Sequence, residues 1–246
     1  MGSNLNAERV QMDANVTVVA EKAIKGERKK PARQPGRPKY NGKLKEKILD
    51  AAEIAFAERG YTGISVRDIA KRAGVNQGLI RYYFETKEQL FDEVYKRRGG
   101  LLSGHRHVLL DRLLDSDQPI HVRDIIRAYL QPQWDLKHSG ESGAAFARLQ
   151  SRLHSEAEEH ALRLRKEVYD ASVKRYVDVL AQAIPHLPRR TIGLRMSFLV
   201  GTYMFMLNDL GRIEDLTEGK IHHLSKDEML DNIVAFLAAG MESDQP

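Results

Sequence analysis

Apolar residues recur along this chain at helical spacing and almost never with the alternation of a half-buried strand. Ile48, Leu49, Ala52, Ala55 and Phe56 fall at i, i+1, i+4, i+7 and i+8, one face of a helix that Gly60 closes after Arg59. Ser65, with Asp68 three positions on, opens a second helix with Val66, Ile69, Ala70 and Ala73 inward. Gly74-Val75 breaks that helix, and Asn76 caps a third, short one running to about Phe84. Thr86-Lys87-Glu88-Gln89 has capping-box spacing for a fourth, with Leu90, Phe91, Val94 and Tyr95 inward.

The rest of the pattern is also helical. Asp117-Gln118-Pro119 opens a segment carrying Ile125, Ile126, Tyr129 and Leu130, and the run from Ser139 to Gly143 separates it from a helix over 144–153. A long helix over 157–183 stops at Pro185-His186-Leu187-Pro188. Two apolar-rich helices follow, over 191–210 and 226–239, the second capped by Ser225 with Glu228 three residues on. The predicted fold is all-α: a mobile arm over 1–43, a small helical domain over 44–100 and a larger helical domain over 101–246.

Composition narrows the function classes. The chain has 246 residues, 42% hydrophobic and 30% charged, and no cysteine, which excludes disulfides, zinc–cysteine clusters and thiol nucleophiles. Val16-Thr17-Val18-Val19-Ala20 is too short for a secretory core and the apolar run over 196–207 is too short for a membrane span, so a cytoplasmic protein with no membrane partner is expected. The formal net charge is +5, unevenly placed. Residues 1–43 carry ten Lys and Arg against four Asp and Glu, a surplus larger than that of the whole chain. A Lys-, Arg- and Pro-rich arm of this kind follows phosphates rather than burying a core. Within it Gly36-Arg37-Pro38 resembles the centre of an AT-hook, which would send Arg37 into the minor groove.

Residues 65–84 have the layout of a helix-turn-helix, with Gly74 at the sharp turn. The start of its second helix, Asn76, Gln77, Gly78, Leu79 and Arg81, would face base edges. Gln pairs bidentately with adenine, Arg with guanine, Leu touches a thymine methyl, and glycine admits close backbone approach. The continuous stretches from Ala55 to Ala70 and from Ala73 to Leu90 resemble the DNA-binding domain of TetR-family repressors. The resemblance implies a homodimer with an operator-binding N-terminal domain and an effector-holding C-terminal domain. Ser65 and Arg67 would meet the DNA backbone, Gln77, Gly78 and Leu79 would read bases, Tyr82 and Tyr83 would contact phosphate or sugar, and Lys87 would anchor a phosphate. Arg81 stands where many members carry an aromatic residue, which favours guanine reading there.

In the C-terminal part, Phe198, Tyr203 and Met206 lie on a helix that is apolar around most of its circumference. With Trp134, Phe146, Leu149, Tyr169 and Tyr176 they form the expected wall of a cavity for an apolar or amphipathic effector. Met229, Leu230, Ile233, Val234 and Leu237 form a broad apolar face on the last helix, suited to pairing with the 191–210 helix in a four-helix dimer interface. No cofactor is expected. His154 and Glu158 are i, i+4 but lack a third metal ligand, His105 with His107 and His222 with His223 have spacings typical of solvated or loop histidines, and no nucleophile elbow, Walker loop or dinucleotide fingerprint is present. The sequence therefore predicts a ligand-responsive repressor of a palindromic operator, not an enzyme; a constitutive DNA-binding dimer or an activator has the same sequence signature.

Overall fold

Helices are the regular elements of the computed structural model, which describes residues 42–155, 159–208, 212–219 and 224–244. In chain order they are α1 (Gly42–Arg59), α2 (Val66–Ala73), α3 (Gln77–Tyr83), α4 (Lys87–Leu114), α5 (Val122–Lys137), α6 (Glu141–Ser155), α7 (Glu159–Ala183), α8 (Arg189–Asn208), the short α9 (Arg212–Leu216) and α10 (Lys226–Glu242). The expected all-α class is the observed one.

Local chemistry explains most boundaries. The Ser65 hydroxyl accepts from the Asp68 amide and the Asp68 carboxylate accepts from the Ser65 amide, a reciprocal box that starts α2. Asn76 Oδ1 accepts from the Leu79 amide at 2.7 Å to start α3, and Thr86 Oγ1 accepts from Gln89 to start α4. The Gln89 side chain reaches the Glu85 amide, one residue before the position a strict box would use. Gly74 closes α2 at φ 62°, a left-handed conformation that admits glycine without steric strain.

Two starts shift by three residues from the sequence pattern. α5 opens at Val122 rather than near Pro119, because the Asp124 carboxylate accepts from the His121 amide and fixes the first turn there. α6 opens at Glu141, ahead of Gly143. Gly143 lies so close to the end of α5 that a Cβ would stand 1.9 Å from the Leu136 carbonyl oxygen. Backbone cannot yield as a flexible side chain does, so Gly143→Ala should destabilise the protein by about 1–3 kcal/mol in urea unfolding. A variant within about 0.5 kcal/mol of the parent would show that α5 and α6 slide apart freely.

The buried apolar residues form two clusters. One joins α1, α2, α3, the first half of α4, α6 and the start of α7 around Ile48, Phe56, Ile69, Ile80, Phe84, Phe91, Tyr95 and Phe146. The other joins the end of α4, α5, the later part of α7, α8 and α10 around Leu110, Ile125, Tyr176, Tyr203, Leu230 and Val234. α4 and α7 run through both. The division expected near residue 100 thus falls inside α4, where the change is one of packing partners along a continuous helix. Near this changeover Glu53 of α1, wholly buried, accepts from Arg98 at 2.9 Å, Arg97 at 3.1 Å and the Ser142 hydroxyl at 2.8 Å, tying α1 to α4 and α6.

Candidate functional site

α3 is anchored from one side only. Ile80 and Phe84 are buried in the first cluster, and Leu79 and Tyr83 pack partly against it. This leaves Gly78, Arg81 and Tyr82 exposed and Gln77 half-exposed along the remaining face. Arg67 and Lys71, i and i+4 on α2, are exposed as well. Arg67 and Arg81 form no ion pair with any described residue, so their charges are available to an outside anion. Tyr82 rests edge-on against Tyr83 with ring centres 5.3 Å apart, which holds its phenol out from the helix. Lys71 was not among the sequence candidates; its spacing from Arg67 is the signal that points to it.

Three of the expected DNA contacts are already engaged within the chain. The Ser65 hydroxyl and Asn76 Oδ1 are spent on capping α2 and α3. Lys87 donates to the Ile64 carbonyl at 2.9 Å and lies 4.4 Å from the Tyr61 ring centre, so it braces the loop between α1 and α2. Arg37 lies outside the described residues.

Among the hollows bordered by described residues, the expected effector residues are divided. Trp134 and Met206 border a hollow of about 290 Å³ with Lys137, His138 and Met229, and the Trp134 indole donates to the Lys226 carbonyl at 2.9 Å. Phe198 is 62% exposed and borders a separate apolar hollow of about 370 Å³ between α8 and α10, with Phe236 and Gly240. Phe146, Leu149 and Tyr169 belong to the first core cluster. Tyr176 and Tyr203 are closed into the second, donating to the backbone carbonyls of Arg106 and Leu130 at 2.8 Å. Burial pushes the Tyr203 and Tyr176 phenols well above their usual range, so both stay protonated donors.

On α10, Leu230, Ile233, Val234 and Leu237 are buried in the chain's own core and Met229 is partly buried against it. The apolar side chains that this helix pair leaves in the open are Leu194, Phe198 and Phe205 on α8 and Phe236 on α10. The sequence pattern marked the heavier apolar face of α10, and burial inside the subunit uses that face first.

A third hollow, of about 450 Å³, lies between α6 and α8 and is lined by Ser151, His154, Ser197, Val200, Gly201, Met204 and Phe205. His154 binds the Gln150 carbonyl at 2.9 Å, so Nδ1 carries the proton in the neutral ring. Burial, reinforced by the charges of Arg165 and Arg106, lowers its pKa to about 4 against an opposing contribution from the Gln150 bond. In the unfolded chain His154 takes up a proton near its ordinary value, and in the folded chain only near pH 4. Stability is therefore full above about pH 6.5 and falls as the pH drops toward 4. His154→Gln should remove about 2 kcal/mol of the stability lost between pH 7 and pH 5, read as the difference between variant and parent in denaturant melts. Equal losses in both proteins would place His154 in solvent.

The described residues include no group of three or more His, Asp or Glu suited to a metal ion, and no helix among them is long and apolar enough to cross a membrane. Glu158, His222 and His223, weighed in the sequence for metal binding, lie outside the described residues.

A capped helix, a glycine turn and a second helix with one buried and one open polar face define a helix-turn-helix protein, here continuous with an all-helical body. Residues 48–94 match the model of the tetR family of bacterial regulatory proteins, and residues 127–240 match that of the tetracyclin repressor-like C-terminal domain. The chain belongs to the TetR family, a family of regulators rather than enzymes. It is 43% identical over 75 residues to the HTH-type transcriptional repressor Rv3405c of Mycobacterium tuberculosis, covering 30% of this chain and 36% of that one. Over 77 residues it is 34% identical to the repressor KstR2 of Mycolicibacterium smegmatis, covering 31% and 38%. The matched stretches thus span little more than a third of these relatives. Its fold is also that of the regulator FadR from Bacillus subtilis in complex with stearoyl-CoA, with a TM-score of 0.60 at 18% identity over 79% of this chain and 98% of that one.

Proposed function

We propose that this chain is a homodimeric, effector-responsive transcriptional repressor that docks α3 in the major groove of operator DNA. The observation that carries this reading is the one-sided anchoring of α3: Ile80 and Phe84 fix the helix while Gln77, Gly78, Arg81 and Tyr82 stay open. Gln77, Gly78 and Leu79 address base edges, Arg81 reads a guanine, and Arg67, Tyr82 and Tyr83 hold the phosphate backbone. Ser65, Asn76 and Lys87 act behind them by fixing the two helices and the loop before α2. The basic arm, Arg37 included, adds nonspecific attraction.

Dimerisation uses the open face of Leu194, Phe198, Phe205 and Phe236, whose contiguous apolar character suits a second copy of the same face. Two α3 helices then enter successive major grooves one turn apart and read a palindrome. The effector is apolar or amphipathic and sits in the helical body. The relative FadR, solved with stearoyl-CoA, supports that class. An effector that favours a conformer with the wrong α3 spacing releases DNA, and by linkage operator binding weakens effector binding.

Selection of duplexes from a random pool with the full chain tests the reading. The expected product is an inverted repeat with half-site centres about 10 base pairs apart or a multiple of that. Unpatterned enrichment would leave only nonspecific binding and overturn operator recognition.

A further inference from the structure

One buried charge in the helical body has no counter-ion among the described residues. Arg106 of α4 is 1% exposed, in register with Leu102 and Leu110 on the inward face. Its guanidinium donates to the Tyr129 carbonyl at 2.9 Å and to Gln133 Oε1 at 3.1 Å and lies 3.8 Å from the Tyr129 ring centre. All these partners are neutral, and among the described residues no carboxylate forms an ion pair with it. Arginine does not shed its proton on burial, so an unneutralised guanidinium in the core is a standing penalty. Two fully buried amides extend the polar chain: Gln133 Nε2 donates to Gln150 Oε1 and approaches Met204 Sδ at 3.8 Å. Gln150 in turn holds His154, and His154 and Met204 both line the hollow of about 450 Å³ between α6 and α8. Arg106 thus reaches the pocket wall through Gln133, which approaches Met204, while Gln150 meets His154 through its backbone carbonyl; Arg106 and the two amides lie behind the lining residues. The Tyr169 ring centre lies 6.0 Å from the guanidinium, and Ser172 on the same face of α7 keeps a buried hydroxyl without a hydrogen-bond partner among the described residues.

We propose that the pocket between α6 and α8 takes a monoanionic carboxylate on an apolar body, with the carboxylate drawn inward to Arg106 in place of the Gln133 amide oxygen. The assignment rests on the reading of the chain as effector-responsive and names the effector's chemical class. Arg165, whose charge also reaches His154, is half-buried and spends Nη1 on the Leu153 and His154 carbonyls, so Arg106 is the fully buried cation here, and its single positive charge calls for a single negative one. The planar fork of a guanidinium matches a carboxylate bidentately, and the surrounding amides and hydroxyls supply further neutral donors. A dianionic phosphate would leave one charge unbalanced in the same low-dielectric core. The apolar body lies along Val200, Met204 and Phe205.

Decanoate, 1-decanol and decyl phosphate, titrated separately into the full chain, test this. Affinity is read by calorimetry, and occupancy of this pocket by the NMR signals of the His154 ring. Decanoate is expected to bind at least tenfold tighter than 1-decanol, to shift the His154 signals, and to bind tighter than decyl phosphate. Arg106→Met removes a charge that lacks a counter-ion and keeps the bulk, so it should fold. It should bind decanoate and 1-decanol equally. Arg106→Lys keeps the charge but loses the fork, and should reduce the preference for decanoate several-fold with 1-decanol unchanged; this variant decides the matter if the Met variant does not fold. Equal binding of acid and alcohol to the parent, tighter binding of decyl phosphate, or an acid preference that survives in Arg106→Met would each overturn the assignment. If 1-decanol binds as tightly as decanoate and releases DNA, the effector reading stands and only the anion falls. If no probe binds or moves His154, the assignment falls, and the effector reading is decided separately by whether any small molecule releases the selected operator.

Discussion

Replacing Gln77 and Arg81 together by alanine should weaken binding to a selected operator by a factor of about 100 or more, with only a small loss on scrambled DNA. Each bidentate contact to a base contributes about 1–3 kcal/mol of discrimination, and the two side chains are separated by one helical turn on the same open face of α3. Both are at the surface of a helix held by Ile80 and Phe84, so their loss should leave the melting temperature nearly unchanged. The salt dependence separates the two roles open to Arg81. If it reads a guanine, Arg81→Ala relaxes preference at one base pair and the slope of log affinity against log salt stays the same. If it holds a phosphate, the slope falls by about one and affinity drops for every sequence. A double variant that binds the selected duplex like the parent would remove α3 as the reading helix.

Glu53→Ala should be the most damaging single substitution to the fold, at about 3–5 kcal/mol, the range for breaking a buried ion pair by removing one partner. Glu53 is wholly enclosed, and its carboxylate is the shared acceptor for Arg97, Arg98 and Ser142. Without it two guanidinium groups lose their common counter-ion, although Arg97 keeps Glu46 and Asp50 at the surface. Glu53→Gln preserves shape and part of the hydrogen bonding and should fall between alanine and the parent. The melting temperature should drop by roughly 6–20 °C for alanine, scaling from about 2–4 °C per kcal/mol for a chain of this size. A loss below about 1 kcal/mol would show that the arginines re-pair without Glu53. Because the same carboxylate ties α1 to α4 and α6, effector-driven release of DNA should also be altered in Glu53→Gln, even where its operator affinity is retained.

The helix-turn-helix part of this protein was largely legible in its sequence because local rules determine it. Ser65–Asp68, Asn76 and Thr86 cap helices through bonds spanning three residues, and Gly74 supplies a left-handed turn that the neighbouring sequence already requires. The identity of the exposed residues on α3 follows from which positions the 3.6-residue period turns inward. The same rules are silent about engagement across elements. Nothing local shows that Lys87 reaches back 23 positions to the Ile64 carbonyl, or that Gly143 is needed for the approach of α6 to Leu136.

In the body of the molecule the sequence determined that α8 and α10 carry more apolar surface than one core can hide. It did not determine which face remains open. Tertiary packing turned Leu230, Ile233 and Val234 inward and left Phe198, Phe205 and Phe236 outside, because each helix first covers the neighbour it meets within its own chain. The aromatic residues that composition suggested for a single effector cavity were likewise distributed among two cores and two separate hollows. Arg106 shows the difference most clearly. Its place between Leu102 and Leu110 is written in the periodicity of α4, but the absence of any carboxylate beside it among the described residues is a property of the faces of α5 and α7 that arrive from elsewhere in the chain. Helix type, caps and turn chemistry act over a few residues and were fixed by sequence alone; the pairing of buried charges and the choice of open faces depend on long-range contacts, and only the folded structure decided them.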